Sequence, residues 1–148
     1  MIMGHVRSMS NDARRIRNME TLQTYFRLLE GRNIDAWITL WAEDCSIIAP
    51  YATGDIPKMI NGKSSVYSFY REQAASYVAL RFAGTEIYPF HDPDKVLARW
   101  YPRGELHGGY IYTNENIGVF EFNGEGSITR FFEYFNPVGV LEKSNISG

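Results

Sequence analysis

The chain has 148 residues, 45% hydrophobic and 22% charged, with a formal net charge of −2; that suffices for one globular domain and is too short for two ordinary ones. The charge balance excludes the basic footprint of a nucleic-acid binder, and no run approaches the ~20 apolar residues of a membrane span. The single Cys45 excludes an intramolecular disulfide or a cysteine metal site.

In chain order, residues 1–9 lack the apolar segment of a signal peptide and read as a disordered extension, which makes the cytoplasm the default compartment. Ser10-Asn-Asp12 offers N-cap chemistry. Ile16, Met19, Leu22, Tyr25, Phe26 and Leu29 then recur at helical spacing, predicting a helix from about Ala13 to Glu30, with Gly31 placed to end it. Asn33 can cap a shorter helix carrying Trp37 and Trp41. A strand runs from Cys45 to Ala49 and stops at Pro50. A loop beginning at Tyr51 reaches Asn61. A third helix, about Lys63 to Ser76, places Val66, Phe69, Tyr70 and Gln73 along one side.

The pattern then changes to strands: Arg81 to Phe90, Lys95 to His107, Tyr110 to Phe122 and Ser127 to Asn136. The links His91-Asp-Pro-Asp94, Gly108-Gly109 and Asn123-Gly-Glu-Gly126 are turn sequences. Helices first and antiparallel strands afterwards predict an α+β domain, helices covering one face of a curved sheet, over residues 10–140 with a tail at 141–148. The other face carries Arg130, Phe132 and Tyr134, which suits a homodimer through the sheet.

In the last strand, alternation puts Thr129, Phe131, Glu133 and Phe135 on one face. A carboxylate between two phenylalanines must be solvated, paired, or kept partly neutral by desolvation, and the third state suits a general acid or base. A structural hydrogen bond or a rim position are the alternatives. If Phe122 opposes Ser127, Glu133 lies opposite Asn116, Phe131 opposite Gly118 and Phe135 opposite Asn114. If Gly108-Gly109 is a two-residue turn, Tyr101 also faces Asn116. A polar row edged by aromatic rings is what a small-molecule site looks like. The 9 Phe, 10 Tyr and 3 Trp supply its walls, among them Tyr25, Trp41, Tyr51, Phe69, Tyr101, Phe131 and Phe135. No phosphate-binding glycine pattern implies a nucleotide cofactor, and His91-Asp-Pro-Asp94 suits a surface turn better than a metal site; no metal or other cofactor is expected.

Two segments resemble the NTF2-like superfamily, which includes the SnoaL-type polyketide cyclases and steroid isomerases. One is Tyr25-Phe-Arg-Leu-Leu-Glu-Gly31 with Asp35-Ala-Trp and Leu40-Trp-Ala-Glu-Asp-Cys45. The other is Asn114-Glu-Asn-Ile-Gly-Val-Phe-Glu-Phe-Asn-Gly124 running into Ile128-Thr-Arg-Phe-Phe-Glu-Tyr-Phe-Asn-Pro137, an ending similar to the phenazine-biosynthesis A/B proteins. The resemblance implies a cone-shaped α+β fold, an apolar pocket, a homodimer, and an acid–base role for Glu133. It also marks two departures: the phenazine family's partner His falls at Phe69, and the steroid isomerases' base at Ala49, although their oxyanion tyrosine matches Tyr25. The sequence therefore points to a cofactor-independent acid–base enzyme for a small cyclic or ketone-bearing metabolite, with a non-catalytic ligand carrier or a structural dimerisation domain as alternatives.

Overall fold

A computed structural model describes residues 9–147; the extension expected over residues 1–9 lies outside the described residues except for Met9. Helix α1 (Asn11–Glu30) begins where Ser10 accepts a hydrogen bond from Ala13 N at 3.1 Å. Its N-terminal half departs from the expected stripe. Ile16 is exposed, and Asn18 turns inward to donate to Pro93 O at 2.9 Å, so its burial leaves the amide satisfied. The helix ends at a left-handed residue, Arg32 (φ 56°), one position beyond Gly31. Asn33 N donates to Leu28 O and Arg32 N to Leu29 O, the paired bonds of a Schellman end. Asn33 caps the short α2 (Ile34–Trp37), accepting from Ala36 N at 3.2 Å. After a 3-10 turn (Ile38–Leu40), strand β1 (Trp41–Ile48) starts four residues before the expected Cys45. Trp41 is thus a strand residue rather than a helical one.

The remaining elements are β2 (Met59–Asn61), α3 (Lys63–Ala75), β3 (Tyr77–Pro89), β4 (Lys95–Leu106), β5 (Ile111–Thr113), β6 (Asn116–Phe122), β7 (Ile128–Tyr134) and α4 (Pro137–Ser147). The seven strands form one sheet in the order β2-β1-β7-β6-β4-β3, with β5 on the end of β4. Only the β1–β7 pair is parallel. The sheet is strongly curled, and the helices pack on it as the cone-shaped α+β reading requires.

Period-two burial defines the inner face. Along β4, Val96, Ala98, Trp100, Pro102, Gly104 and Leu106 are buried, and along β6 Asn116, Gly118, Phe120 and Phe122. Tyr25 and Phe26 from α1 enter this core edge-on to Phe120 and tilted against Trp100. Phe131 stacks on Phe120 with ring centroids 4.1 Å apart. Its edge lies over Gly118, where an added Cβ would approach the ring to 2.3 Å.

The strand registers differ from the expected ones in two instructive ways. Glu133 pairs with Gly118 rather than Asn116, and Phe131 with Phe120. The loop is one residue longer, since Phe122 pairs with Ile128 across Asn123–Ser127, and Thr129 is one extra residue in the strand. Together they shift the pairing by two, which preserves the faces. The other turn shifts by one. Leu106 N donates to Tyr110 O at 2.9 Å and Gly109 N to Leu106 O at 3.0 Å, so the turn holds three residues, His107, Gly108 and Gly109, the glycines at φ 98° and 94°. Trp100 therefore opposes Asn116, and Tyr101 faces outward, its ring 5.4 Å from the Arg99 guanidinium.

Of the region expected to be a tail at 141–148, residues 141–147 belong to helix α4, and Gly148 lies outside the described residues. Asn136 accepts from Val138 N at 3.0 Å and Pro137 takes the first helical position, the arrangement in which a missing N–H costs nothing. Asn114 ties this corner together with all its side-chain bonding capacity: it donates to Tyr112 Oη and Asn136 O and accepts from Glu115 N and Asn136 N.

Candidate ligand cavity

Between α1, α3, α4 and the inner face of the sheet lies a cavity of about 140 Å³, a volume that takes one six-membered ring. Helix α3 brings Phe69, Tyr70, Gln73 and Ala74 to it, spaced along one side by the helical period. Strand alternation brings Trp100, Asn116, Glu133 and Phe135, and Tyr25 enters from α1. Gly104 leaves room for Tyr77, whose ring would lie 2.3 Å from a Cβ at that position.

Of the residues singled out in the sequence, the fold brings Tyr25, Phe69, Asn116, Glu133 and Phe135 together on the cavity. Four lie elsewhere. Phe131 and Trp41 are fully buried in the aromatic core below it, because their contacts are with Phe120 and Trp37 rather than with open space. Tyr101 is on the outer face through the three-residue turn. Tyr51 is exposed, its ring 6.0 Å from that of Tyr134. Ala49, at the steroid isomerases' base position, is buried and does not line the cavity.

Glu133 is half-buried and lines the cavity. Burial pushes its pKa up to about 7, against the opposing pull of the Lys143 charge and the Asn116 amide. Asn116 is 7% exposed. Its amide serves the carboxylate, while its Oδ1 is buried with no hydrogen-bond partner. The hydroxyls of Tyr25 and Tyr70 interact with each other, and burial holds both pKa values well above the ordinary phenol. They are therefore neutral donors at pH 7.

The largest addition to the sequence picture is Lys143. It is 8% exposed on α4, and its Nζ donates to Tyr77 Oη at 2.9 Å. It also sits 4.7 Å over the Tyr112 ring and 5.2 Å over that of Tyr77, so the ammonium gains aromatic faces as well as a hydrogen bond. Burial lowers its pKa, and the nearby Glu133 pulls it back up. The signal that could have found it was Asn136-Pro137, which reads as a helix start as well as a strand stop. Tyr77 and Tyr112 carried no comparable local signal. Among the described residues, no group of three or more His, Cys, Asp or Glu side chains is placed to hold a metal ion, and no helix is long and apolar enough to cross a membrane.

Helices laid on a curled sheet around an aromatic cavity define a small α+β pocket fold. The chain belongs to the SnoaL-like domain family, whose profile matches residues 22–131. Glu133 and Lys143 lie beyond the matched stretch. The uncharacterised protein YesE of Bacillus subtilis is 28% identical over 124 residues, covering 83% of this chain and 84% of its own. A presumed isomerase from Bacillus subtilis superposes with a TM-score of 0.79 at 27% identity, covering 90% of this chain and 94% of that one. A phenazine biosynthesis-related protein from Pseudomonas aeruginosa does so with a TM-score of 0.75 at 22% identity, covering 89% and 87%.

Proposed function

We propose that the protein is a cofactor-independent acid–base enzyme of the isomerase or cyclase kind, acting on a small ketone-bearing ring, with Glu133 as the proton-transfer group. The observation that carries this reading is a carboxyl group inside an aromatic cavity, its pKa raised to about 7 by burial. A group with that pKa is present in both protonation states at neutral pH, which is what a proton shuttle requires. As carboxylate, Glu133 would take a proton from the carbon beside the ketone. The C–H electron pair becomes the enolate double bond, and the negative charge gathers on the ketone oxygen. The neutral tyrosine hydroxyls can donate to that oxygen. As carboxylic acid, Glu133 would return the proton to a different position of the ring.

The test is deuterium uptake from D2O into the α-carbons of a cyclohexenone probe, followed by NMR. Glu133→Gln keeps the volume and removes the base, and should slow exchange by about 10²–10⁴-fold with folding intact. Unchanged exchange in the variant would remove Glu133 from the chemistry. A second reading, a ligand carrier without turnover, is favoured by Phe69 and Ala49, which occupy the positions where related enzymes hold a second ionisable group. It calls for probe binding with no Glu133-dependent exchange. We also infer a homodimer through the outer sheet face, where Ile117, Phe132, Tyr134 and Tyr101 leave aromatic and apolar surface uncovered.

A further inference from the structure

Of the lysines, Lys58, Lys63 and Lys95 all reach solvent, and Lys143 alone is buried. Its amine is enclosed by the cavity's own walls. Nζ donates to Tyr77 Oη at 2.9 Å and stands 5.2 Å from the Tyr77 ring centroid and 4.7 Å from that of Tyr112. Glu133 acts on it through its charge. Tyr77, Tyr112 and Glu133 all line the cavity, as do Lys143 itself and Val140, one turn earlier on α4. The side chain therefore turns inward instead of snorkelling to water. A leucine or methionine would fill this place on the helix without the cost of desolvating an amine, and the acid–base step proposed above makes no use of it.

We propose that Lys143 is a nucleophile that captures a small ring-borne aldehyde as a Schiff base, with Glu133 as the acid that completes the step. This goes beyond the enolisation described above, because it is covalent and needs no hydrogen on the carbon beside the carbonyl. A proton passed from Lys143 to Glu133 produces both partners at once, an amine with a lone pair and a carboxylic acid. Burial favours this neutral pair over the charged one, and desolvation in an apolar pocket is how a lysine becomes a nucleophile. The amine lone pair bonds to the carbonyl carbon, the C=O π pair moves to the oxygen, and that oxygen takes a proton from the nitrogen. Glu133 then protonates the new hydroxyl, which leaves as water while the nitrogen pair closes the C=N bond. The products are an iminium ion beside the Glu133 carboxylate and one water. An aldehyde carbon carries one substituent and a hydrogen, so it admits an amine held among tyrosine rings, and one six-membered ring fits about 140 Å³.

The experiment treats the full chain with benzaldehyde and sodium cyanoborohydride, which reduces an iminium to a stable benzylamine, and follows each lysine by peptide mapping and mass spectrometry over time. Lys143 should be benzylated about tenfold or more faster than Lys58, Lys63 or Lys95, although it is the least exposed of them. Excess benzyl alcohol, the same ring without the carbonyl, should slow Lys143 and leave the other lysines unchanged. Glu133→Gln should slow Lys143 by about tenfold or more, since loss of water from the adduct needs an acid. Labelling at Lys143 no faster than at the other lysines, or a Lys143 rate unmoved by benzyl alcohol or by Glu133→Gln, overturns the proposal. The comparison among lysines is made within one wild-type sample, so it decides even where the variant does not fold. Benzaldehyde has no hydrogen on the carbon beside its carbonyl, so enolisation contributes nothing to this readout, and its failure leaves the acid–base reading to the deuterium-exchange test.

Discussion

Glu133 is held in a different protonation balance by the fold than by water, and this has a consequence for stability that does not depend on any substrate. Its pKa is about 7 in the folded protein against an ordinary 4.5. Below pH 4.5 both folded and unfolded chains hold the proton. Between 4.5 and 7 the native state holds it while the unfolded state has lost it, so stability falls as pH rises through that window and levels off above it. A shift of this size corresponds to about 3 kcal/mol. Glu133→Gln, neutral throughout, should lack the slope. Chemical denaturation of both proteins at pH 5 and pH 8 should therefore show the variant gaining on wild type by about that amount; parallel curves would mean that the carboxyl is solvated. The sequence already carried this residue, because two phenylalanines on its own strand face are visible without a structure. It did not carry Tyr77, which depends on the bare backbone of Gly104, 27 positions away in the chain and brought alongside only by the β3–β4 pairing.

At the scale of elements, helix α4 is the part that sequence patterning concealed. Its apolar positions are few, and its start coincides with the end of a strand, so Pro137 reads first as a stop. What holds it is a local polar lock. Asn114, in the break between β5 and β6, bonds the backbone of Asn136 from both ends of its amide, and Asn136 in turn caps the helix. Replacing Asn114 with Ala breaks four bonds at once and leaves the Tyr112 hydroxyl without its partner. The expected cost is about 2 kcal/mol of global stability. Amide hydrogen exchange within α4 should rise more than in β6, since the helix loses its anchor while the sheet keeps its ladder. Uniform change across both elements would show that the lock serves the sheet and not the helix. Where the sequence reading of an element succeeded, as for the Ser10 and Asn33 caps, a short-range side-chain bond decided the matter. The strand breaks at Asn114–Glu115 and Thr129 were set by pairing across the sheet, which local patterning does not contain.

The molecule as a whole presents two aromatic surfaces on opposite sides of one sheet, an inner one closed by helices and an outer one that no helix covers among the described residues, where the exposed Tyr51 meets Tyr134. The outer side is not uniformly apolar. Arg130 pairs with Glu121 while standing 5.5 Å over Phe132, and Arg99 pairs with Glu115. Such a mixture matches interfaces that form between folded subunits, with charged edges around an aromatic centre. Sedimentation equilibrium should give twice the chain mass, and Tyr134→Glu should give the single mass by placing a carboxylate at the centre of the contact. A wild-type protein that sediments as one chain at about 100 μM would rule out the dimer at the affinities such interfaces reach. The fold class and helical cover of this whole were legible because helical and strand periods separate cleanly along the chain. The division of residues between the two faces was legible only in part, because each strand's face depends on a count of residues in the turns.

That count gives the His107–Gly109 turn a weight in heredity out of proportion to its exposed position. Exchanging its residues alters a surface loop, at some cost where the glycines adopt positive φ. Gaining or losing a single codon instead steps the pairing by one and brings Ile117 or Glu115 inward where Asn116 now stands, unless a new bulge restores the parity. Length at this turn is thus under tighter constraint than its residues, and the lining of the cavity can change by substitution far more readily than by insertion.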